Sequence, residues 1–246
     1  MKNLILLITC CICLSGFSQR PNKVIQISDD VDIVKISDNL YMDISYKKSE
    51  NRGRISANGL IYIDRKKAFI LDSPWNDEQT TTLIEWIKDS LNAKVVGFIP
   101  IHWHEDSMGG LACIKRNKIK SYANQMTIDI AKEKGLPIPA VGFTDSLRLR
   151  MGKKKIYCYY PGAAHTLDNI VIWLPSEQVL FAGCVLKGME YKNLGFTDDG
   201  DLNEYPNTLN KILAKFQDAK IVIPGHGIYG GIELIHHNIE LANQQQ

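Results

Sequence analysis

The sequence predicts an α/β chain built as an αβ/βα four-layer sandwich, with two mixed β-sheets packed face to face and helices on both outer faces. Three observations carry this. Alternating or wholly apolar runs of strand length recur along the chain, as half-buried and buried strands do. Runs of helical spacing, bounded by capping residues, glycine or proline, lie between them. The order of strands then helices occurs twice, with no linker, low-complexity segment or short-period repeat. Periodicity alone supports only a mixture of α and β. The repeated cycle, with helices outside the strands, suggests the sandwich.

The 246 residues, 45% hydrophobic and 23% charged, describe an ordinary globular protein of one large domain or two small ones. Lys2 precedes an apolar run from Leu4 to Leu14, too short for a bilayer span of about 20 residues. Gly16-Phe17-Ser18 then supplies small residues. Residues 1–18 therefore read as a signal peptide to the periplasm, leaving 19–246 as a single domain. Acylation at Cys10, Cys11 or Cys13 is a minor alternative, because Thr9 before Cys10 fits that signal poorly. Removing Lys2 from 29 bases leaves them nearly balanced by 27 acids, so nothing argues for nucleic acid. A small-molecule partner, a monomer and no stable membrane association are expected. Three of six cysteines leave with the leader. Cys113, Cys158 and Cys184 remain, and an odd number leaves at least one thiol unpaired. Cys113 and Cys158 sit among apolar or strand-like residues and are expected to be buried thiols. A metal ligand is one explanation for an unpaired thiol.

In chain order, residues 19–30 read as a polar leader. Val31 to Ile36 and Leu40 to Tyr46 alternate as strands, and the basic stretch 47–54 reads as an exposed hairpin loop. Asn58 to Ile63 and Ala68 to Asp72 are strands. Asp77 to Leu91 is a helix capped by Asn76 or Asp77, and Val95 to Ile101 is a buried strand. Leu111 to Arg116 opens a helix with Asp106 or Ser107 at its start. Ile119 to Tyr122 is a strand, and Asn124 to Lys134 is a helix stopped by Gly135 and Pro137. In the second cycle, 146–151 and 155–160 form a hairpin, and 170–174 and 179–181 are strands. Asn203 to Phe216 is a helix, 221–223 a strand and Ile232 to Asn243 a closing helix.

The chain is organised around His102-Trp103-His104-Glu105-Asp106-Ser107-Met108-Gly109-Gly110. If extended, it sends His102, His104 and Asp106 to one side. Such groups at the end of a buried strand are costly unless something coordinates them, and zinc suits imidazole and carboxylate. Three further strands end in a candidate ligand beside small residues: His165 after Gly162-Ala163-Ala164, Cys184 after Gly183, and His226 after Pro224-Gly225. One histidine after a strand is more often a surface or core residue. Four such sites in one chain change that balance. Six ligands exceed one tetrahedral zinc and suit two three-ligand sites, each with an open position, the mark of catalytic zinc. His236 and His237, on the last helix, read as surface residues.

These residues resemble the metallo-β-lactamases, specifically subclass B1. The HxHxDxxGG stretch at 102–110, AHTLDNIVIWLP at 164–175, GCVLK at 183–187 and PGHG at 224–227 match in type, order and spacing. The resemblance covers about residues 30–240. HxHxD alone serves a whole superfamily of metallo-hydrolases. Ser107, where other branches usually carry a histidine, and Cys184, where most carry a bridging aspartate, narrow it to B1.

The resemblance implies the metallo-β-lactamase fold and two Zn2+ ions, the first held by His102, His104 and His165 and the second by Asp106, Cys184 and His226. A hydroxide between the metals would attack the β-lactam carbonyl, with Asp106 orienting it as the catalytic carboxylate. The first zinc would polarise the carbonyl oxygen, and the second would meet the lactam nitrogen. Lys187 would grip the substrate carboxylate as a point charge. Penicillins, cephalosporins and carbapenems would be hydrolysed, conferring antibiotic resistance. The loop 47–54 falls where the family has a mobile flap. Trp75 falls where an aromatic or apolar residue often nears the substrate, although a core aromatic is an equal reading.

Phe196 departs from the family. Many B1 enzymes carry asparagine there, after Leu-Gly or Ile-Gly, to help bind the lactam carbonyl. Phenylalanine donates no hydrogen bond, and losing an oxyanion donor costs about 10²–10³ in rate where that donor acts. Zinc polarising the same oxygen would reduce the loss, so a weakened or narrowed enzyme is expected. Two other functions compete. A related hydrolase acting on thioesters or lactones would carry an aspartate bridge instead of Cys184. A non-catalytic zinc-binding protein would close its sites with four ligands each.

Overall fold

The computed structural model describes residues 23–50 and 53–245. The expected leader at 1–18 lies outside the described residues. Eight strands form the first sheet in sequence order. β1 (Val24–Ser28), β2 (Val31–Ser37), β3 (Leu40–Ser49), β4 (Gly53–Asp64) and β5 (Lys67–Leu71) pair antiparallel. β6 (Lys94–Ile99), β7 (Lys120–Asn124) and β8 (Val141–Phe143) continue the sheet in parallel. The parallel pairs require crossovers. These are α1 (Asp77–Leu91), the pair α2 (Glu105–Met108) and α3 (Leu111–Arg116), and α4 (Gln125–Glu133).

The second sheet has five strands: β9 (Ser146–Met151), β10 (Lys154–Tyr159), β11 (Val171–Leu174), β12 (Val179–Lys187) and β13 (Ile221–His226). They lie in the order β13-β12-β11-β10-β9. Only β12 and β13 are parallel, and α5 (Tyr205–Lys215) links them. The last helix is α6 (Glu233–Gln244).

Three apolar layers hold these elements together. Leu60, Leu71 and Ile99 of the first sheet meet Ile156, Ile172 and Phe181 of the second. On the opposite face of the first sheet, Ile61, Ile70 and Phe98 pack under Leu83 and Ile87 of α1. Outside the second sheet, Leu180 and Val222 pack against Leu209 and Ile212 of α5 and Leu234 and Ile235 of α6. Strands buried on both faces and helices buried on one stripe give the expected αβ/βα sandwich.

Four local readings differ from the structure. β1 occupies part of the expected polar leader. Its side chains are largely exposed, so pairing with β2 rather than burial makes it a strand. β8 is only three residues long, too short for periodicity to reveal. The basic stretch 47–54 is mostly strand, with Lys47 opposite Ile55 and Lys48 opposite Arg54. Its charges find partners there. Arg54 stacks 3.7 Å from the Tyr46 ring centroid and bonds the Asp29 carbonyl, while Lys47 bonds Glu105. Finally, 102–106 is not extended. Residues 101–104 bend, Asp106 lies in α2, and α3 is preceded by Gly110 rather than by Asp106 or Ser107.

Candidate metal centre

The centre lies where strands of both sheets end. β6 stops before Pro100, which has no N–H to continue a ladder. The chain then turns through His102 and His104 into α2. Asp72, at the end of β5, holds that turn by accepting from the Ile101 N–H at 2.8 Å and from the Ser107 hydroxyl. Ser107 is thus a structural anchor of the turn. Burial pushes the Asp72 carboxyl up to about 7, against the lowering influence of His102 and of its hydrogen bonds.

The His102, His104 and His165 rings converge, with centroids 4.7–5.1 Å apart. His104 Nε2 lies 2.9 Å from an Asp199 carboxylate oxygen. Asp199 was not singled out from the sequence, because one acid in the run Asp198-Asp199-Gly200-Asp201 has no distinguishing pattern. Burial first, then Lys187 and His102, hold His165 well below the usual imidazole range. Its ring is therefore neutral and keeps a lone pair.

The second group is tighter. Asp106 Oδ2 lies 3.2 Å from Cys184 Sγ and 3.1 Å from His226 Nε2, and Cys184 Sγ lies 3.4 Å from that nitrogen. His226 Nδ1 lies 2.6 Å from the Ser56 carbonyl. That oxygen can only accept, so Nδ1 donates to it and Nε2 is the ring atom directed at Asp106 and Cys184, as a ligand-orienting contact requires. β12 delivers Cys184 just after Gly183, whose φ of +53° is left-handed. Gly225 leaves room for the sulfur, since a Cβ there would sit 2.4 Å from Sγ. Burial raises the Asp106 carboxyl, but His102 and His226 overcome it and hold the group well below the carboxylate range.

These residues fit a divalent metal of the zinc type. His102, His104 and His165 form one group and His102, Asp106 and Cys184 another, each with ligand atoms within 4.8 Å. Among the described residues, Nδ1 of His102 and Nδ1 of His165 are buried without a hydrogen-bond partner, and His102 Nε2 meets the Asp106 carboxylate only at 3.4 Å. Each such atom costs about 1–3 kcal/mol unless something pairs it. Burial and then Asp106 push the Cys184 thiol well above its ordinary value, so a cation is what would ionise it. Imidazole, carboxylate and thiolate together are zinc donors.

The other expected site residues border this centre. Lys187 is buried, makes no ion pair among the described residues, and is fixed at its backbone by Asn238. The Trp75 ring lies 6.4 Å from His226, and its Nε1–H donates to the Ser45 carbonyl at 3.2 Å. The Phe196 ring lies 5.8 Å from His104. His237, on α6, donates from Nε2 to the Tyr191 carbonyl at 3.0 Å. Cys113 and Cys158 are buried free thiols.

The chain is similar to known proteins. The metallo-beta-lactamase superfamily profile matches residues 59–226. A metallo-beta-lactamase type 2 of Bacteroides fragilis is 47% identical over 244 residues, covering 99% of this chain and 97% of the relative. The crystal structure of VMB-1 superposes with a TM-score of 0.85 at 37% identity, covering 89% of this chain and 99% of that one. A metallo-beta-lactamase from Pontibacter korlensis gives 0.84 at 33% identity, over 88% and 100%.

Proposed function

The chain belongs to the metallo-β-lactamase superfamily, and from that premise we propose that it is a periplasmic, two-zinc, subclass B1 enzyme that opens the β-lactam ring of penicillins, cephalosporins and carbapenems. The observation that supports this most is the convergence of six donors, with two buried ring nitrogens left without a partner among the described residues. His102, His104 and His165 would hold the first ion, and Asp106, Cys184 and His226 the second. Residues 1–18 would be the export signal and 19–246 the mature domain.

Zinc, when bound, supplies a Lewis acid and a water acidic enough to lose its proton near pH 7. The chain does the rest. Asp106, kept ionised by its histidine neighbours, accepts a hydrogen bond from the attacking water and orients it. Lys187, buried and without an ion pair among the described residues, offers its ammonium to the substrate carboxylate. Ser56 fixes the His226 ring, and Asp199 fixes His104. Trp75 closes one wall beside His226. Phe196 donates no hydrogen bond to the lactam carbonyl, which weakens or narrows turnover relative to an enzyme with asparagine there.

The test is hydrolysis of a chromogenic cephalosporin by the purified mature protein. EDTA should abolish the activity and added zinc should restore it. Metal-replete protein inert toward penicillins, cephalosporins and carbapenems alike would overturn the reading.

A further inference from the structure

Large exposed hydrophobic side chains are few among the described residues, and four of them, Leu167, Met189, Phe196 and Ile228, lie within two positions of a candidate donor or Lys187 or in ring contact with a donor. Scattered singly, such residues need no explanation. Here Leu167 follows His165 by two positions, Met189 follows Lys187 by two and Ile228 follows His226 by two. Phe196 lies against His104.

Each is held in place by the segments that carry the polar groups. The Leu167 N–H donates to the Asp199 carbonyl at 3.2 Å, while the Asp199 carboxylate meets His104. Leu167 and Phe196 are therefore both linked to His104, the first through Asp199 and the second by its ring. The Gly188 N–H donates to the His226 carbonyl at 3.0 Å, and the Ile228 N–H donates to Glu190 Oε1 at 3.0 Å. Met189 lies in the chain between Gly188, tied to His226, and Glu190, tied to Ile228. Gly195 adopts a φ of +73°, and a Cβ there would lie 3.7 Å from Lys187 Cε. Phe196 thus follows a backbone position next to the Lys187 side chain and sets its own ring beside His104 of the first histidine group. Apolar walls around a few fixed polar groups are the composition of a small-molecule site.

Resting on the hydrolase reading above, we infer that Phe196 is a specificity-determining residue, which with Leu167, Met189 and Ile228 selects β-lactams bearing an aromatic or bulky apolar substituent beside the carboxylate. The exposed ring, 43% accessible, offers a face for such a group, and an aromatic pair of this kind is worth roughly three- to tenfold in binding. Leu167, Met189 and Ile228 are flexible or aliphatic and add unspecific apolar area.

The experiment compares two cephalosporins that differ only in the substituent beside the carboxylate, methyl in one and phenyl in the other. Steady-state kinetics are measured for zinc-loaded wild type, Phe196→Ala, Phe196→Asn and, as a distant control, Val24→Ala on β1. Wild type and Val24→Ala should prefer the phenyl compound in kcat/KM. Both Phe196 variants should lose about three- to tenfold of that preference, chiefly through a higher KM for the phenyl compound. An unchanged preference in both variants overturns the inference. So does an equal fall in kcat for both compounds, which would mean that Phe196 merely packs against His104. Wild type that turns over neither compound overturns the hydrolase reading and the inference with it. Turnover with an unaltered ratio overturns the inference alone.

Discussion

At the scale of single residues, the metal centre was legible because its donors carry their own signal. His102, His104, Asp106, His165, Cys184 and His226 are chemically conspicuous at strand ends, and the structure brings all six together. Their supports were not legible. Ser56 reaches His226 through a backbone carbonyl, which no side-chain pattern announces. Asp199 reaches His104 from 95 residues away, and Asp72 acts only because β5 ends beside the turn. Cys184 gives the sharpest residue-scale prediction. A serine there cannot supply a thiolate, so Cys184→Ser should reduce bound zinc from about two ions per chain to about one, leaving the three-histidine site filled. Mild peroxide should strip the same ion from wild type and none from the variant, because oxidised sulfur no longer ligates. Metal analysis after desalting checks both. Loss of the three-histidine ion first would contradict the ligand assignment.

At the scale of elements, strands with one clean face or a continuous apolar run were read to within a few residues. β12 shows where that reading stops. Val179 to Phe181 is plainly apolar, but the strand continues through Ala182, Gly183 and Cys184 to Lys187, all buried. Small and polar residues there read as the end of a strand. The strand instead runs on, setting Ala182, Val185 and Leu186 in the outer apolar layer and Cys184 beside Asp106. α2 was missed because four residues give no helical period. Element junctions also hold a bond that spacing could not reveal. Asn58, inside β4, donates both amide hydrogens across to the second sheet, to the Pro224 and Gly227 carbonyls at 2.9 Å each. These two carbonyls bracket His226. Asn58→Ala removes both bonds and leaves buried acceptors unpaired, at a cost of about 1–3 kcal/mol. The urea midpoint should fall accordingly, and the second zinc should dissociate more readily than from wild type. A variant as stable as wild type would show that the two sheets do not depend on this tie at the β13 end.

At the scale of the whole molecule, the repeated cycle of strands and helices sufficed for the sandwich, since two sheets with apolar inner faces have few other ways to bury them. What the cycle could not show is a charge sealed inside one layer. Asp43, on β3, is fully buried opposite Ile33 and Gly59, in the layer that α1 covers. Neither carboxyl oxygen has a partner among the described residues. Burial, reinforced by Asp72, pushes its pKa from 3.8 up to about 8. The folded chain therefore keeps this proton up to about pH 8, whereas the unfolded chain releases it near pH 4. Between those values unfolding releases a proton, so stability falls as pH rises, by up to about 1.4 kcal/mol per pH unit for this one group. The loss is complete above the folded pKa and absent below the unfolded one. Asp43→Asn keeps the shape without the titration. The variant should match wild type near pH 4 and become progressively more stable than it toward pH 8, with a constant difference beyond. Denaturant midpoints of both proteins, measured with zinc present at each pH step, check this, because every other titrating group cancels in the comparison. Parallel curves across that range would show that Asp43 reaches solvent or a partner in the folded chain, and that this layer of the sandwich is not sealed.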